Sequence, residues 1–464
     1  KIELMSKKLK ILAITSFPTI GNAGLKNILN IVGDDAIPVP TLIACGLGDM
    51  AGHKKFQLSF NEMLFASLQM AKDHNFELIA YVGYLQDATQ IDIICAAFKS
   101  YSDIIQTIVI DPVCGDNHKT YVDESIIQNF DKLLILADYA LPNETELRVL
   151  AGSDFKSDID LVIEDFKKAY PNLSLLVTSV KKEDKHYNYL DTADETYRLP
   201  YDKIAADYSG TGDIFAALFI KHVFLNKYSQ SEALELTANY LQRIVAYSHY
   251  QKKPAYDVSL LSNRASVHKK GNLFYVIGPS GVGKDTLMNI AQKHLQESNV
   301  VFAKRYITRS KQSDGEDHIP ISKDDFLERI EDGYFGLWWQ SHGNYYGIGA
   351  QIDQLLNSGF NVVVNGSRGY FHEANKRYPE MKTILITAKP EIIKERLLKR
   401  ERETPEEVEK RLERSKSFEN MFERLDIIKI SNDGALKTTS KSFIDILEGN
   451  YGKKALLRYE TRPY

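Results

Sequence analysis

A glycine-rich segment is the strongest candidate for chemistry in this sequence. Residues Gly278 to Lys284 read GPSGVGK, with an apolar run before them at Leu273 to Ile277 and an amphipathic stretch from Asp285 onward. In this context of strand, loop and helix, the loop N–H groups face phosphate oxygens and the helix N-terminus adds partial positive charge. The segment therefore predicts an ATP site in which Lys284 reaches the transferred phosphoryl group.

The residue after this lysine is Asp285, where Ser or Thr usually offers a hydroxyl to Mg²⁺. A carboxylate can also serve magnesium, directly or through water, so we expect Asp285 to be a metal ligand. The alternative is a loop that has lost its ligand. Lys284 is an expected catalytic residue, and the expected ATP-binding residues of this loop are Gly278, Ser280, Gly281, Gly283, Lys284, Asp285 and Thr286.

Arginines are concentrated where an acceptor with two phosphates could bind. Arg305, Arg309 and Arg368 lie in segments that read as loops, and a planar guanidinium can give phosphate two hydrogen bonds. Further arginines flank Thr404-Pro405, as expected of a lid that closes over the transferring group. The alternative is a solvated helix face with i,i+4 pairs to glutamates. The flanking residues are Arg396, Arg400 (an expected catalytic residue), Arg402, Arg411 (an expected acceptor ligand) and Arg414.

A second candidate site lies near residue 210, where Ser209 to Asp213 read SGTGD before an apolar helix. Small residues at a helix N-terminus expose N–H groups that can stabilise phosphoryl charge. Asp213 is placed to accept a proton from an acceptor hydroxyl, so we expect it to be a catalytic base. We expect Gly210, Thr211 and Gly212 to bind ATP. An aspartate that only caps its helix is the alternative.

The C-terminal part carries several ordered motifs: RYITR at 305–309, GEDHI at 315–319, WQSHGNYYG at 339–347, NGSR at 365–368 and NDG at 432–434. From about Asn272 to Thr438 the sequence resembles the ribose 1,5-bisphosphate phosphokinases, guanylate-kinase-like enzymes of phosphonate degradation. The resemblance implies a kinase that converts ribose 1,5-bisphosphate to 5-phosphoribosyl 1-diphosphate. It also implies acceptor contacts from Glu316, His318 and Tyr346.

Guanylate kinase is the close alternative for this part, because Thr308-Arg309, Gly315-Glu316 and residues 345–347 fit its pattern too. However, its tyrosine-containing GMP segment is replaced here by residues 317–319, and its acidic strand end reads NGSR. An arginine suits a second phosphate better than it suits guanine. The bisphosphate sugar is therefore the expected acceptor.

The N-terminal part also carries ordered motifs: ILAITS at 11–16, YVGYL at 81–85, DPVCGD at 111–116, PNETEL at 142–147, TS at 178–179 and GTGD at 210–213. From about Lys10 to Tyr250 the sequence resembles the pyridoxal kinase branch of the ribokinase superfamily. The resemblance implies that Thr178 and Ser179 contact ATP and that Asp116 and Glu146 hold Mg²⁺ through water.

The acceptor end departs from that family, which tends to show Ser-His and Thr-Gly-Tyr-Gly where this sequence has Ser16-Phe17 and residues 46–49 (GLGD). We expect Ser16 and Asp49 to contact the acceptor, a hydroxymethyl group of pyridoxal or a related small molecule. The alternative is a pseudokinase that binds nucleotide as a sensor or scaffold.

Apolar runs and amphipathic segments alternate along the chain, which predicts an α/β protein of two domains. These are a ribokinase-like three-layer α/β/α domain at 9–255 and a guanylate-kinase-like domain with a phosphate-binding loop at 272–448. A linker at 256–271 and a tail at 449–464 complete the division. The expected N-terminal strands are 11–15, 78–82, 107–111, 133–137 and 175–178, and the expected helices include 62–73 and 159–169.

Composition limits the class of protein. A chain of 464 residues is too long for one core, and a net charge of -4 gives no global field for nucleic acid. The sequence contains no apolar run long enough to predict a membrane span. The three cysteines match no metal motif and read as reduced, buried thiols. We therefore expect a cytoplasmic enzyme that acts on small molecules. The motifs and the two resemblances imply that it uses ATP and Mg²⁺, and the resemblance of the N-terminal part implies a homodimer formed through that domain.

Overall fold

The computed structural model describes residues 7–47, 52–183, 185–204, 206, 208–252, 270–296, 298–309, 318–341, 343–398, 408–409 and 427–450. The chain divides into two compact units, Lys1–Val258 and Ser259–Tyr464. The division falls inside the stretch that the sequence predicts as a linker.

The N-terminal unit is built on a nine-stranded sheet with the order β11-β10-β9-β8-β5-β4-β1-β2-β3. Its central pairs are parallel, and antiparallel pairs join β2 to β3, β9 to β10 and β10 to β11. The strands are β1 Lys8–Pro18, β2 Ala36–Cys45, β3 Lys54–Phe56, β4 Phe76–Val82, β5 Ile105–Ile110, β8 Tyr139–Ala140, β9 Ser174–Lys182, β10 Lys185–Asp191 and β11 Thr196–Tyr201; β6 Gly115–Asp116 and β7 Lys119–Thr120 form a separate small ladder.

Helices cover both faces of this sheet. Successive side chains of a strand point to opposite faces, and in β1 both sets are buried: Leu12 and Ile14 join one core, whereas Ile11 and Ala13 are buried outside that core. The three-layer α/β/α architecture is thus confirmed. The helices are α1 Leu25–Val32, α2 Phe60–Asp73, α3 Thr89–Ser100, α4 Glu124–Asn129, α5 Asp131–Leu134, α6 Glu144–Leu150, α7 Ile159–Ala169, α8 Thr211–Ile220 and α9 Gln230–Tyr250.

One predicted strand is wrong. The run from Leu133 to Ala137 begins inside α5, and the strand follows later, at β8. Leu133 and Leu134 are buried, whereas Ile135 is 67% exposed and Leu136 is 40% exposed. A short apolar run does not by itself distinguish a strand from a helix with one buried face.

The C-terminal unit has a five-stranded parallel sheet with the order β13-β18-β12-β19-β20 and a four-stranded, mostly antiparallel sheet with the order β15-β14-β17-β16. The strands are β12 Leu273–Ile277, β13 Val300–Phe302, β14 Tyr306–Ile307, β15 Ile319–Pro320, β16 Phe335–Ser341, β17 Asn344–Gly349, β18 Asn361–Asn365, β19 Lys382–Thr387 and β20 Ile428–Ser431.

The helices of this unit are α10 Lys284–His294, α11 Lys323–Glu331, α12 Gln351–Asn357, α13 Phe371–Arg377, α14 Pro390–Leu398 and α15 Leu436–Leu447. Leu287 and Ala291 of α10 and Phe443 of α15 join the apolar core at the parallel sheet, whereas Phe326 of α11 stacks on Phe335 of β16 in the small sheet. The predicted α/β class is confirmed for this unit as well.

Two further observations concern the whole chain. Among the helices that the structure describes, none combines the length and apolar composition that a membrane crossing requires. The cysteines are free, but the prediction of burial is wrong for Cys45, which is exposed.

Candidate active sites

The N-terminal unit contains a cavity of about 810 Å³. It opens among the ends of several strands and the first turn of α8, where loops from different parts of the chain meet. The structure therefore brings the predicted residues of this unit together, apart from Asp49, which lies outside the described residues. Those that line the cavity are Ser16, Asp116, Glu146, Thr178, Ser179, Gly210, Thr211, Gly212 and Asp213.

Asp213 lies in the first turn of α8, which begins after Gly210 in the left-handed conformation. Its carboxylate accepts a hydrogen bond from the Gly24 N–H at 2.8 Å. Burial raises the pKa of Asp213 to about 6, and the bond from Gly24 opposes that rise. The carboxyl group therefore titrates close to neutral pH, as suits a general base.

Gly24 is a residue that sequence reasoning missed. Its φ is 52°, and a Cβ added there would lie 2.1 Å from the Ser16 carbonyl oxygen. Only glycine avoids both the left-handed strain and this clash. The signal in the sequence is weak: a GNAG segment that follows the first strand.

Asp111 is a second acid at this cavity, and its motif alone predicted no role for it. It is 6% exposed, and the Tyr81 hydroxyl donates to its carboxylate at 2.9 Å. Burial and the charge of Asp213 raise the pKa of Asp111 to about 7. The two acids therefore disfavour each other's charge, which a bound cation would relieve.

Glu146 is the third acid of this site, and it forms the capping box of α6 with Asn143. Its two carboxylate oxygens accept from the backbone N–H groups of Cys114 at 3.1 Å and Asn143 at 2.8 Å. Burial, followed by the charge of Asp111, raises the pKa of Glu146 well above its ordinary value. These bonds fix the direction of the carboxylate.

Mg²⁺ could bind at this site only if groups other than the protein side chains complete its coordination shell. Asp116 is exposed on β6 beside the cavity. Within the described ranges, no group of three or more His, Cys, Asp and Glu side chains could hold a metal ion. A cation at Asp116 and Glu146 would need water and nucleotide oxygens to complete its shell, in line with the predicted contact through water.

Thr178 and Ser179 lie in β9 where the strand passes the cavity. Ser179 has a φ of 58°, which is unusual for a residue with a side chain. Its N–H donates to the Asn188 side chain at 3.3 Å. Left-handed backbone in a strand interrupts the regular ladder and redirects the side chain, which is a feature of ligand-contacting segments.

In the C-terminal unit, the glycine-rich loop joins β12 to α10 as predicted. Gly281 and Gly283 have φ of 85° and 91°. A Cβ at Gly278 would approach the Ile386 carbonyl oxygen to 2.7 Å. The loop can therefore curl only with glycine at these positions, and Ser280, Asp285 and Thr286 are exposed along it.

Lys284 and Asp285 are joined by a third residue. The Lys284 ammonium donates to the Asn365 side-chain oxygen, and the Asn365 amide nitrogen donates to Asp285 at 3.0 Å. The Lys284 nitrogen also lies 3.6 Å from the Asp285 carboxylate. Asn365 ends β18, so the sheet sets the position of both charged groups; sequence reasoning had noted it only as part of a motif.

Arg396 holds the back of the same loop. Its guanidinium donates to the backbone oxygens of Val282 at 3.1 Å and Asn432 at 3.0 Å, and the Asn432 amide donates to Val282 at 2.8 Å. These contacts differ from the predicted role of Arg396 in a lid. The other arginines of that prediction lie outside the described residues: Arg400, Arg402, Arg411 and Arg414.

The predicted acceptor residues lie around the small sheet and the end of β18. Arg305 donates to the Asn365 carbonyl oxygen at 3.4 Å, and Arg368 begins a turn that follows Asn365 by three residues. His318 is 2% exposed and lies 3.1 Å from the Arg309 carbonyl oxygen, so it ties this segment to the fold. An acceptor contact from His318 stays a prediction, and Glu316 lies outside the described residues.

Comparisons with known proteins match both units. Residues 44–258 match the family model described as phosphomethylpyrimidine kinase, and residues 270–449 match the model described as guanylate kinase. The predicted kinase-family relationship of each part is confirmed by these matches.

Curated relatives match the C-terminal part over almost their whole length. A ribose 1,5-bisphosphate phosphokinase from Thiobacillus denitrificans is 45% identical over 179 residues, which are 38% of this chain and 93% of that protein. One from Psychromonas ingrahamii is 42% identical over 179 residues, or 38% of this chain and 90% of that protein. Among solved structures, a pyridoxal kinase from Lactobacillus plantarum is 20% identical, with a TM-score of 0.46, and the match covers 53% of this chain and 91% of that chain.

Proposed function

Through its C-terminal part this chain belongs to the ribose 1,5-bisphosphate phosphokinase family, and we propose that this part transfers the γ-phosphoryl group of ATP to ribose 1,5-bisphosphate. The product is 5-phosphoribosyl 1-diphosphate. The observation that carries the proposal is the convergence at Asn365. Its side chain holds Lys284 and Asp285 of the phosphate-binding loop, and its carbonyl oxygen accepts from Arg305.

The residues divide the work of phosphoryl transfer. The loop N–H groups and Lys284 bind the ATP phosphates and offset the charge that develops during transfer. Asp285 is the group of this loop that suits Mg²⁺, whose preferred ligands are oxygens. Arg305 and Arg368 bind the phosphates of the acceptor, because a guanidinium can give two parallel hydrogen bonds to each.

We propose that the N-terminal unit is a second kinase, with Asp213 as the base that accepts the proton of a hydroxymethyl group. Support comes from the cavity that joins Asp213 to the predicted nucleotide residues, and from the pKa of about 6. The acceptor is pyridoxal or a related ring, and the match to the phosphomethylpyrimidine kinase model supports including a hydroxymethylpyrimidine among the candidates.

We propose further that both sites use Mg·ATP and small-molecule acceptors, that the protein works in the cytoplasm without nucleic acid, and that two copies pair through the N-terminal unit. Each site contains the carboxylates and N–H groups that such a nucleotide requires, which supports the choice of cofactor.

Nucleoside monophosphate kinase activity is the second candidate for the C-terminal part. The match of residues 270–449 to the guanylate kinase model favours it. Its acceptor would carry one phosphate and a base that the site must recognise. Activity with GMP and none with ribose 1,5-bisphosphate would establish this candidate in place of the first.

The test is ADP release by the purified full chain with ribose 1,5-bisphosphate, GMP, pyridoxal and hydroxymethylpyrimidine as separate acceptors. We expect turnover of ribose 1,5-bisphosphate by the wild type and a loss of at least about a hundredfold in Lys284→Ala, since a residue that contacts the transferred group supplies several kcal/mol to the transition state. The matched control is Lys293→Ala, an exposed lysine in the last turn of the same helix. Binding of ATP without turnover of any acceptor would instead indicate a nucleotide sensor.

A further inference from the structure

Three aromatic rings form a stacked row beside the predicted acceptor arginines. The rings of Tyr346 and Trp339 are 5.7 Å apart with an angle of 4° between their planes, and those of Trp339 and Tyr370 are 5.6 Å apart at 27°. Tyr346 and Trp339 are also direct partners across β17 and β16. The row therefore has a fixed geometry, since stacking and strand pairing reinforce each other.

Arg305 stands at one end of this row. Its guanidinium carbon lies 5.4 Å from the centre of the Tyr346 ring, within the range of a cation–π contact. Arg305 directly precedes β14, and β14 and β16 lie on opposite sides of β17. Tyr346 thus has a guanidinium toward one neighbouring strand and an indole toward the other.

The opposite end of the row leads to Arg368. Tyr370 closes the short turn Arg368–Tyr370, which follows the end of β18. Arg305 meets the same strand end through its hydrogen bond to the Asn365 carbonyl oxygen. The row therefore connects the segments that carry two of the predicted acceptor arginines.

We propose that the row formed by Tyr346, Trp339 and Tyr370 holds Arg305 and the Arg368 turn at the spacing that two phosphates of one sugar require. Trp339, at its centre, is then a positioning residue for acceptor binding. This inference rests on the proposed function of the C-terminal part. It goes beyond that function because it names the residues that set the acceptor specificity.

Two physical effects support this assignment. An arginine side chain loses much rotational freedom when it binds phosphate, and a ring that already holds the guanidinium reduces that loss. A nucleobase acceptor needs an open aromatic face or polar groups for its edge, whereas Tyr346 is engaged from both neighbouring strands. The row therefore favours a bisphosphate sugar over a nucleotide.

The test compares acceptor kinetics of Trp339→Leu with those of Trp338→Leu. Trp338 is the neighbouring residue on the same strand, faces the other way and is 38% exposed. In Trp339→Leu we expect the KM for ribose 1,5-bisphosphate to rise by up to about tenfold, the upper end of what the loss of one aromatic stack costs, because Tyr346 then no longer holds Arg305 in place. The KM for ATP and kcat should stay near the wild-type values in both variants. Trp339→Phe keeps a ring and should restore most of the acceptor affinity.

A double-mutant cycle shows whether Trp339 acts through Arg305. If it does, Trp339→Leu should change the KM for the acceptor much less in an Arg305→Ala background than in the wild type. Equal effects in both backgrounds would overturn the proposal. So would an unchanged acceptor KM in Trp339→Leu, or a parallel loss of ATP affinity that shows general damage to the fold.

Binding supplies a readout that needs no turnover and covers the case in which Trp339→Leu fails to fold. The chain has two tryptophans, so Trp338→Phe leaves Trp339 as the single indole. Titration with ribose 1,5-bisphosphate should change its fluorescence saturably, and Arg305→Ala should remove that response. If the wild type binds and phosphorylates this acceptor while the indole signal of Trp338→Phe stays constant, the proposal about the row is contradicted but the proposed function is not. If the wild type neither binds nor phosphorylates this acceptor, the proposed function itself is contradicted.

Discussion

At the level of single residues, the environment of Asp213 couples proton transfer to pH. Burial raises its pKa to about 6, and a base accepts a proton only in its ionised form. Turnover by the N-terminal unit should therefore be constant above neutral pH and fall as pH drops through about 6. The measurement is a pH profile of kcat/KM with pyridoxal or hydroxymethylpyrimidine, and Asp213→Asn should be inactive throughout. An acid limb near pH 4 would show that the pKa of the base is not raised, and turnover by Asp213→Asn would show that Asp213 is not the base.

The same shift predicts a stability change of known sign. The folded state binds the proton of Asp213 more tightly than the unfolded chain, so the ionised form costs stability above the folded pKa and costs nothing below the ordinary value of 3.8. At pH 8, Asp213→Asn should therefore stabilise the unit, by at most about 3 kcal/mol, and the gain should vanish near pH 4. Thermal unfolding measures it, with the exposed Asp194→Asn as the control.

Single residues also show where sequence reasoning ends. Lys284 and Asp213 could be predicted because their chemistry follows from local motifs. Gly24 and Asn365 could not, because their roles depend on partners 189 and 81 positions away along the chain. A contact between distant segments exists only after the sheet has brought them together.

At the level of elements, helix α14 acts on the phosphate-binding loop through Arg396. A hydrogen bond from a charged donor contributes about 1.5–3 kcal/mol, and two such bonds hold the Val282 and Asn432 carbonyls. Arg396→Ala should loosen the loop and raise the KM for ATP about tenfold, while the KM for ribose 1,5-bisphosphate stays unchanged. Steady-state kinetics with each substrate varied in turn will measure both.

The control for this variant is Lys394→Ala, which removes an exposed cation of the same helix. If Arg396 instead leaves the loop to contact the transferring phosphoryl group, the loss will appear in kcat with little change in the KM for ATP. That result would support a role of Arg396 in a lid and contradict its role in holding the phosphate-binding loop.

The helices and strands that could be predicted best were those with the strongest hydrophobic pattern in the sequence. Helix α7 runs from Ile159 to Ala169 as predicted, because its apolar residues repeat with helical spacing and Asp158 caps its start. The run at Leu133 has neither a long repeat nor a clear boundary, and its outcome depended on packing of α5 against α3. The two phosphate sites were found by motif, whereas the ring row in the small sheet needed the register of β16 and β17.

At the level of the whole molecule, the chemistry of each site is contained in one unit. The contacts of Asp213 and the lining of the N-terminal cavity come from residues before Val258, and those of Lys284 come from residues after Ser259. Two units of this size can each bury a core of their own, which makes independent action the physical expectation.

Independent action is tested with one variant in each unit of the full chain. Lys284→Ala should abolish phosphorylation of ribose 1,5-bisphosphate and leave the N-terminal activity within about twofold, because substitutions at distant sites with no shared partner have nearly additive effects. Asp213→Asn should do the reverse. Both activities are measured on the same preparation, so a difference in folding or concentration cancels. Loss of both activities from either substitution would show that the sites are coupled, and the coupling would then have to pass through contacts other than those that hold Lys284 and Asp213.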